Sequence, residues 1–234
     1  MSAPPPADSA RAVSRALSLL EHVVTSEAPP SLAESSRFVG LPVSTTARLL
    51  KALERRALIR RDAVGRYWPG VRMFHLATSA MRALPLHDLA EDHLRALTSA
   101  TAESSYLLIP SSPGMGLYVR QVESPSSIRH ASWVGRAIPL AGTATGAALV
   151  GSVGARGYAI GRHAVEPDTA TAAAPVSAAS GEIQAAISVI APSFRVDDAQ
   201  LEAIGALVAE HARALSAQIG APQASPSLLA HSST

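Results

Sequence analysis

The sequence predicts an α+β protein with a small N-terminal domain of helices and a β-hairpin, a connecting helix, and a larger C-terminal α/β domain. At 234 residues with 47% hydrophobic content, the chain is long enough to bury two modest cores. Its charge is divided unevenly. Residues 11–72 carry eleven Arg and Lys against five Asp and Glu, and the residues from 73 onward carry nine against twelve. The hydrophobic period also changes after Ala100, from helical spacing to short strands.

The first two helices and the turn after them follow from apolar spacing and capping signals. Spacings of four, three and four place one apolar stripe on a first helix, formed by Val13, Leu17, Leu20 and Val24. Ser31 and Glu34 have the spacing of a capping box, which predicts that a second helix begins there and runs to about Val39. The run Gly40-Leu41-Pro42 then ends that helix in a short turn.

A third helix, at residues 43–56, is predicted to be apolar inside and cationic outside. Its inner stripe consists of Thr46, Leu49, Leu50 and Leu53, and its outer row consists of Ser44, Arg48, Lys51 and Arg55. Residues 58–61 and 66–68 read as two short strands, joined by a turn that contains Gly65 and closed by Pro69-Gly70.

This order of elements, with positive charge on the third helix and the hairpin, predicts a winged helix-turn-helix at residues 11–70 that binds double-stranded DNA. A recognition helix presents polar and cationic side chains to the major groove, and here these are Ser44, Thr45, Arg48 and Lys51. On the wing, Arg60, Arg61 and Arg66 are placed to contact phosphate or the adjacent minor groove. The alternative is that the cationic row is only a solvated helix surface.

Beyond the hairpin, the sequence predicts a linker helix at residues 71–84 and a second helix after Pro85. The α/β part follows. Strands are predicted at 105–109, 117–122, 127–132, 170–176 and 182–190, a helix of small residues at 139–150, and a long amphipathic helix starting near Asp197. Residues 1–10 read as a disordered leader and 221–234 as a disordered tail.

Several short motifs occur in order over about residues 11–220, namely Ser14–Leu20, Leu41–Leu50, Gly65-Arg66-Tyr67 with Gly70, Val122–Pro125, Val134-Gly135-Arg136 with Pro139-Leu140, Gly157-Tyr158-Ala159, Ala173–Val176 and Ala186–Val189. Together these motifs resemble the IclR family of bacterial transcriptional regulators. The resemblance implies that the linker helix pairs subunits and that residues 85–220 form a GAF-like effector-binding domain. It also implies a homodimer or homotetramer on a palindromic operator.

The resemblance further implies where a small effector, an organic acid or an aromatic compound, would bind. Carried over by position, the site contains the backbone amides of Ala144 and Thr145 with Leu140 nearby, and the hydroxyls of Thr171 and Ser188. Three departures concern this pocket. Gly161 stands where an acidic residue is common, Asp168 stands where glycine is usual, and several tens of residues are missing between about 150 and 157. These departures predict a shortened domain that lacks part of its pocket wall, with weakened or lost effector sensing.

Other function classes find little support in the sequence. The absence of cysteine excludes disulfides and thiolate chemistry, and the eight histidines do not fall at metal-ligand spacing, so we expect no metal and no cofactor. The sequence contains no nucleophile elbow, so this motif gives no indication of an enzyme. No targeting or membrane segment is evident, so we expect a cytoplasmic protein. Two alternatives stay open, a ligand-independent DNA-binding and dimerisation protein and a GAF-type enzyme with a vestigial basic domain.

Overall fold

The computed structural model describes residues 7–82 and 85–220. The chain divides into an N-terminal unit that ends at Ala83 and a C-terminal unit that begins at Leu84. Residues 7–10, predicted as part of a disordered leader, belong instead to the first helix. The rest of that leader, the last two residues of the predicted linker helix and the predicted tail at 221–234 lie outside the described residues.

The N-terminal unit contains the predicted three helices, hairpin and linker helix in that order. They are α1 (Ala7–Thr25), α2 (Leu32–Val39), α3 (Val43–Arg55), β1 (Ile59–Arg61), β2 (Tyr67–Pro69) and α4 (Val71–Arg82). The two strands pair antiparallel, and an isolated bridge between Ser31 and Arg66 joins the start of α2 to this hairpin. The core lies between α1, α3 and the hairpin, where Leu19, Leu50 and Ile59 are fully buried.

The buried side of α1 differs from the predicted stripe. Leu19 and Val23 face the core, and of the predicted stripe only Leu20 packs against it, partly buried, whereas Val13, Leu17 and Val24 are 59%, 52% and 39% exposed. The segment carries two apolar rows that both satisfy helical spacing. Hydrophobic periodicity therefore predicts the helix correctly but cannot say which row packs against α2 and α3.

The C-terminal unit is a six-stranded antiparallel sheet with helices on both faces. Its elements are α5 (Pro85–Thr101), β3 (Ser104–Pro110), β4 (Met115–Val122), β5 (Ala137–Pro139), α6 (Ala144–Leu149), a 3₁₀ turn (Gly154–Arg156), β6 (Ala159–Arg162), β7 (Thr169–Ser177), β8 (Ile183–Pro192) and α7 (Asp198–Gly220). The strand order is β5-β4-β3-β8-β7-β6. Helices α5 and α7 cover one face around Leu94, Ile187 and Val208, and α6 covers the other around Tyr106 and Tyr118.

Two predictions for this unit are wrong. Residues 127–132 form a loop, because β5 takes the place beside β4 and the loop is fixed by other contacts, such as the bond that the Arg195 guanidinium donates to the Ile128 carbonyl (2.6 Å). The helix predicted at 139–150 is also shorter. Pro139 ends β5, whose Ile138 is buried in the sheet, and α6 begins only after its N-cap Thr143.

Candidate functional site

The outer surface of α3 carries the side chains predicted to face DNA. Ser44, Arg48 and Lys51 are exposed, and Thr45 is partly buried beside them. On the opposite side, Thr46, Leu50 and Leu53 are buried against the rest of the unit. The helix thus presents one polar, cationic face to solvent while its apolar face holds it in place, as recognition by a helix in the major groove requires.

The turn before α3 fixes the direction in which this helix leaves α2. Gly40 ends α2 in the left-handed conformation (φ 62°), which a residue with a side chain rarely adopts. The buried Ser36 hydroxyl donates to the Leu41 carbonyl (2.6 Å), and the Thr46 hydroxyl donates to the Pro42 carbonyl (3.2 Å). The angle between the two helices is therefore set by local hydrogen bonds as well as by core packing.

The wing is organised by a single carboxylate. One oxygen of Asp62 accepts the backbone N–H groups of Val64 (3.1 Å) and Arg66 (2.8 Å), and its other oxygen accepts the Trp68 indole N–H (2.8 Å). These bonds, that from Trp68 first, lower the pKa of Asp62, because they stabilise its charged form. The Arg60 guanidinium lies 5.2 Å from the centre of the Trp68 ring, so the exposed cation is held over the wing by a cation–π contact.

The three wing arginines are not equivalent. Arg60 and Arg61 are exposed and form no ion pair with a described residue. Arg66 lies partly buried, where its guanidinium donates to Glu34 (2.8 Å) and to the Pro29 carbonyl (3.2 Å). Glu34 also accepts the Ser31 backbone N–H in the predicted capping box (2.6 Å). Hydrogen bonds from Ser31 lower the pKa of Glu34, and the positive charge of Arg66 lowers it further.

In the C-terminal unit, the predicted effector residues gather on the face of the sheet that α6 covers. Ala144, Thr145 and Thr171 line a small, partly enclosed cavity of about 20 Å³, together with Tyr118, Trp133, Thr143, Gly161, Ala164, Val165, Thr169 and Ile190. Leu140 lines an open groove next to this cavity. Ser188 is fully buried on the same face of β8 as Ile190, but it does not line the cavity itself.

The start of α6 is built around Thr143 and Gly146. The Thr143 hydroxyl accepts the Gly146 N–H (2.9 Å), donates to the Leu140 carbonyl (2.9 Å) and lies 3.2 Å from the Thr145 hydroxyl. A Cβ atom at Gly146 would lie 1.8 Å from the Leu140 carbonyl oxygen, so only glycine allows this close approach. The amides of Ala144 and Thr145 make no hydrogen bond to a described residue, which leaves them free to meet a ligand.

An aromatic cluster that the sequence does not predict forms one side of the cavity. Trp133 packs with Tyr118 and His130, and the Arg136 guanidinium lies 4.5 Å from the centre of its ring. Burial raises the pKa of Tyr118. In a chain with only 4% aromatic residues, the placing of Tyr106, Tyr118 and Trp133 in one domain was the available signal.

An acidic side chain links the two loops that border the cavity. Glu166 lies 3.5 Å from Arg136 and, through its other oxygen, 3.5 Å from the buried His130 imidazole. The second ring nitrogen of His130 is 2.6 Å from the Tyr106 hydroxyl. Burial lowers the pKa of His130, so the imidazole is neutral at pH 7 and Glu166 pairs mainly with Arg136. This arrangement holds the loop containing Ala164 and Val165 against the loop containing Trp133.

Neither unit contains a metal centre or a membrane helix within the described ranges. Across residues 7–82 and 85–220, no three His, Asp or Glu side chains come together as metal ligands would. Over the same ranges, no helix is both long and apolar enough to span a bilayer.

Both units match models of known protein families. The IclR helix-turn-helix domain model matches residues 12–63, and the model of the bacterial transcriptional regulator IclR C-terminal domain matches residues 78–153 and 150–217. The chain belongs to the IclR family. Its members include the HTH-type transcriptional regulator BhcR of Paracoccus denitrificans, which is 30% identical over 242 residues, covering 88% of this chain and 86% of BhcR. The acetate operon repressor of Salmonella typhimurium is 25% identical over 60% of this chain and 52% of its own length.

Solved structures of IclR proteins share the fold. The Thermotoga maritima IclR structure superposes with a TM-score of 0.72 at 20% identity, covering 91% of this chain and all of that one. An IclR homolog from Microbacterium hydrocarbonoxydans, solved in complex with 4-hydroxybenzoate, superposes with a TM-score of 0.77 at 16% identity, covering 89% of this chain and 98% of the other. The predicted α+β fold and IclR resemblance are thereby confirmed.

The comparison with BhcR also bears on the predicted shortening of the effector domain. The alignment runs over 242 residues but includes 88% of this 234-residue chain, about 206 residues, so about 36 positions of BhcR have no counterpart here. The two segments matched by the C-terminal model meet at residues 150–153, where the chain is predicted to be shortened. The structure passes there from α6 directly to the 3₁₀ turn and β6.

Proposed function

We propose that this IclR-type regulator binds a palindromic operator as a homodimer or homotetramer, with α3 of each participating subunit in the major groove. Ser44, Thr45, Arg48 and Lys51 read base edges, and Arg60 and Arg61 contact phosphates. The observation that carries this proposal is the exposed cationic row on α3 above a buried apolar row. A solvated helix surface would not require the fixed turn before α3 or the organised wing after it.

Arg66 takes a different part in the proposal from the other two wing arginines. Because its guanidinium already binds Glu34 and the Pro29 carbonyl, a phosphate contact would have to break or share these bonds. We therefore propose that Arg66 orients the wing and that the exposed cations provide the electrostatic attraction to DNA.

We further propose that a small organic effector binds at the cavity between α6 and the sheet and alters operator binding. Support comes from the family, one of whose solved members holds 4-hydroxybenzoate, and from Ala144, Thr145 and Thr171, which line the cavity. A space of about 20 Å³ has room for about one water molecule. An effector must therefore separate the loop containing Trp133 from the loop containing Val165, which Glu166 holds together.

The small cavity also supports a second candidate, a regulator that binds DNA without an effector and uses its C-terminal unit to assemble. The two candidates differ in one measurable respect, because coupling between two sites requires that a ligand change operator affinity. In either case the relatives are regulators and not enzymes, and we propose that this chain likewise acts without catalysis.

To test base recognition by α3, the operator is first identified by genome-wide footprinting. The affinity of the full chain for that operator is then measured by band-shift titration. If Arg48 contacts a base, Arg48→Ala should cost about 1–3 kcal/mol of binding free energy and relax preference at one base position. Arg213→Ala, which removes an exposed positive charge from α7, is the matched control and should bind as the unaltered protein does. Equal operator affinity and base preference for Arg48→Ala and the control would exclude this assignment.

A further inference from the structure

The first turn of α3 carries apolar surface beside its row of polar and cationic side chains. Val43, the first residue of α3, is 53% exposed, and Pro42 directly before it is also exposed. Among the described residues, Val43 is not part of the hydrophobic cluster that fills the core of the N-terminal unit. Ala47, four residues later, lies on the same side of the helix and is partly buried. We call Pro42, Val43 and Ala47 the apolar edge of α3.

The apolar edge lies next to the groups proposed to read bases. Val43 precedes Ser44 and Ala47 precedes Arg48, so each of these apolar residues adjoins a member of the outer row. Arg48 is the first cation of α3, and the turn before it carries no charged side chain. Residues in the N-terminal part of a recognition helix are the ones that contact base edges. Val43 therefore stands at the end of α3 where base contacts are expected.

Other exposed apolar side chains of this unit have different surroundings. Phe38, on α2, stacks on the His22 ring with 4.1 Å between the ring centres, so one of its faces is already covered. Val64 lies in the turn of the wing. Only Val43 combines exposure with a place at the start of α3. A valine in a helix has one strongly preferred rotamer, so Val43 presents a fixed apolar surface at little cost in entropy.

The chemistry of the major groove selects the base that fits this surface. Thymine carries a 5-methyl group there, whereas adenine, guanine and cytosine present hydrogen-bond donors or acceptors. An apolar side chain packed against such a group would remove its water without replacing the hydrogen bond, which is unfavourable. Of the four bases, thymine therefore complements the apolar edge best.

We propose that Val43 is a specificity-determining residue for a thymine in each operator half-site, and that the 5-methyl group of this thymine packs on the apolar edge. This inference rests on the proposed function. It adds to the hydrogen-bonding side chains of α3 one residue that reads a base by apolar contact. Preference at that base position then depends on a single methyl group.

Replacement of each operator thymine in turn by deoxyuridine tests this inference, because the change removes only the 5-methyl group. The affinity of the full chain for each labelled operator is measured by fluorescence anisotropy. Burial of one methyl group corresponds to about fourfold in affinity, so one thymine position should lose about fourfold, and its two symmetric copies together about fifteenfold. A half-site without thymine, or unchanged affinity at every deoxyuridine position, would overturn the inference.

A variant of Val43 shows whether this residue makes the methyl contact. Val43→Ala removes apolar surface at an exposed position, and it should reduce the deoxyuridine effect at that position to about twofold or less. Val150→Ala is the matched control, the same change at an exposed position of the C-terminal unit, and it should keep the effect seen with the unaltered protein. If both variants keep the full effect, deoxyuridine acts through the shape of the DNA and the inference is wrong.

The outcomes separate this inference from the proposed function. If the chain binds its operator and Arg48→Ala weakens that binding, but no thymine position responds to deoxyuridine, the proposed function stands and the inference alone is wrong. If the chain binds no operator, the proposed function is wrong and the inference fails with it.

Discussion

The wing offers a sharp test of which positive charges attract DNA, because Arg60 and Arg66 lie on the same hairpin in different surroundings. The changes Arg60→Gln and Arg66→Gln remove one positive charge each from the same domain. Arg60 is exposed and free of ion pairs with described residues, whereas Arg66 donates to Glu34 at 2.8 Å. A long-range field would treat the two losses alike, but direct phosphate contact would not.

The expected magnitude follows from counterion release. Each phosphate contact contributes about 0.9 to the slope of log affinity against log salt, so a dimer that loses Arg60 twice loses about 1.8. When salt is raised from 50 to 200 mM, the factor by which affinity falls should be about twelvefold smaller for Arg60→Gln than for the unaltered protein. Arg66→Gln should keep the slope of the unaltered protein and weaken binding at every salt concentration, because the wing loses its tie to α2.

The assay is a fluorescence-anisotropy titration of labelled operator at five or more salt concentrations. Arg213→Gln, a loss of one charge on α7, is the control and should leave slope and affinity unchanged. If Arg60→Gln and Arg66→Gln reduce the slope equally, or if Arg66→Gln reduces it more, the division of the wing arginines into phosphate-binding and positioning residues is refuted.

Three further predictions concern stability. Leu50→Ala should reduce the free energy of unfolding of the N-terminal unit by about 2–5 kcal/mol in a urea titration, since Leu50 is fully buried; an unchanged midpoint would contradict its place in the core. Gly146→Ala should lower the calorimetric melting temperature of the C-terminal unit, because the new Cβ would meet the Leu140 carbonyl oxygen, and a melting temperature equal to that of the unaltered protein would show that α6 shifts freely. Burial lowers the pKa of His211, so the unfolded chain binds the extra proton and stability should fall as pH drops below about 6.5; His211→Gln should lose that part of the pH dependence, measured by urea titration from pH 5 to 8.

The recognition helix could be predicted from the sequence because its two faces differ in composition. Thr46, Leu50 and Leu53 recur at helical spacing on the side opposite the cations, and the structure buries all three. The first helix gave no such contrast, since both of its apolar rows could face the core, and the structure buries the row with Leu19 and Val23.

The effector region shows a different limit of sequence reasoning. Positions carried over from the family resemblance, such as Thr145 and Thr171, do meet at one cavity. Trp133 and Glu166 could not be found in that way, because they lie on loops whose contacts depend on residues far away in the sequence. The same holds for Arg66, whose partner Glu34 is 32 residues distant and which the sequence predicts only as part of a helix cap.

The shared carboxylate of Glu34 limits how this domain could be re-engineered. It accepts bonds from the N-cap residue Ser31 before α2 and from Arg66 on the wing, so the two segments would have to be exchanged together. A chimera that imports the hairpin of another regulator would need to import residues 29–34 as well. A graft of α3 alone leaves that connection untouched. If α3 reads the bases as proposed, new base specificity is therefore more safely introduced through α3 than through the wing.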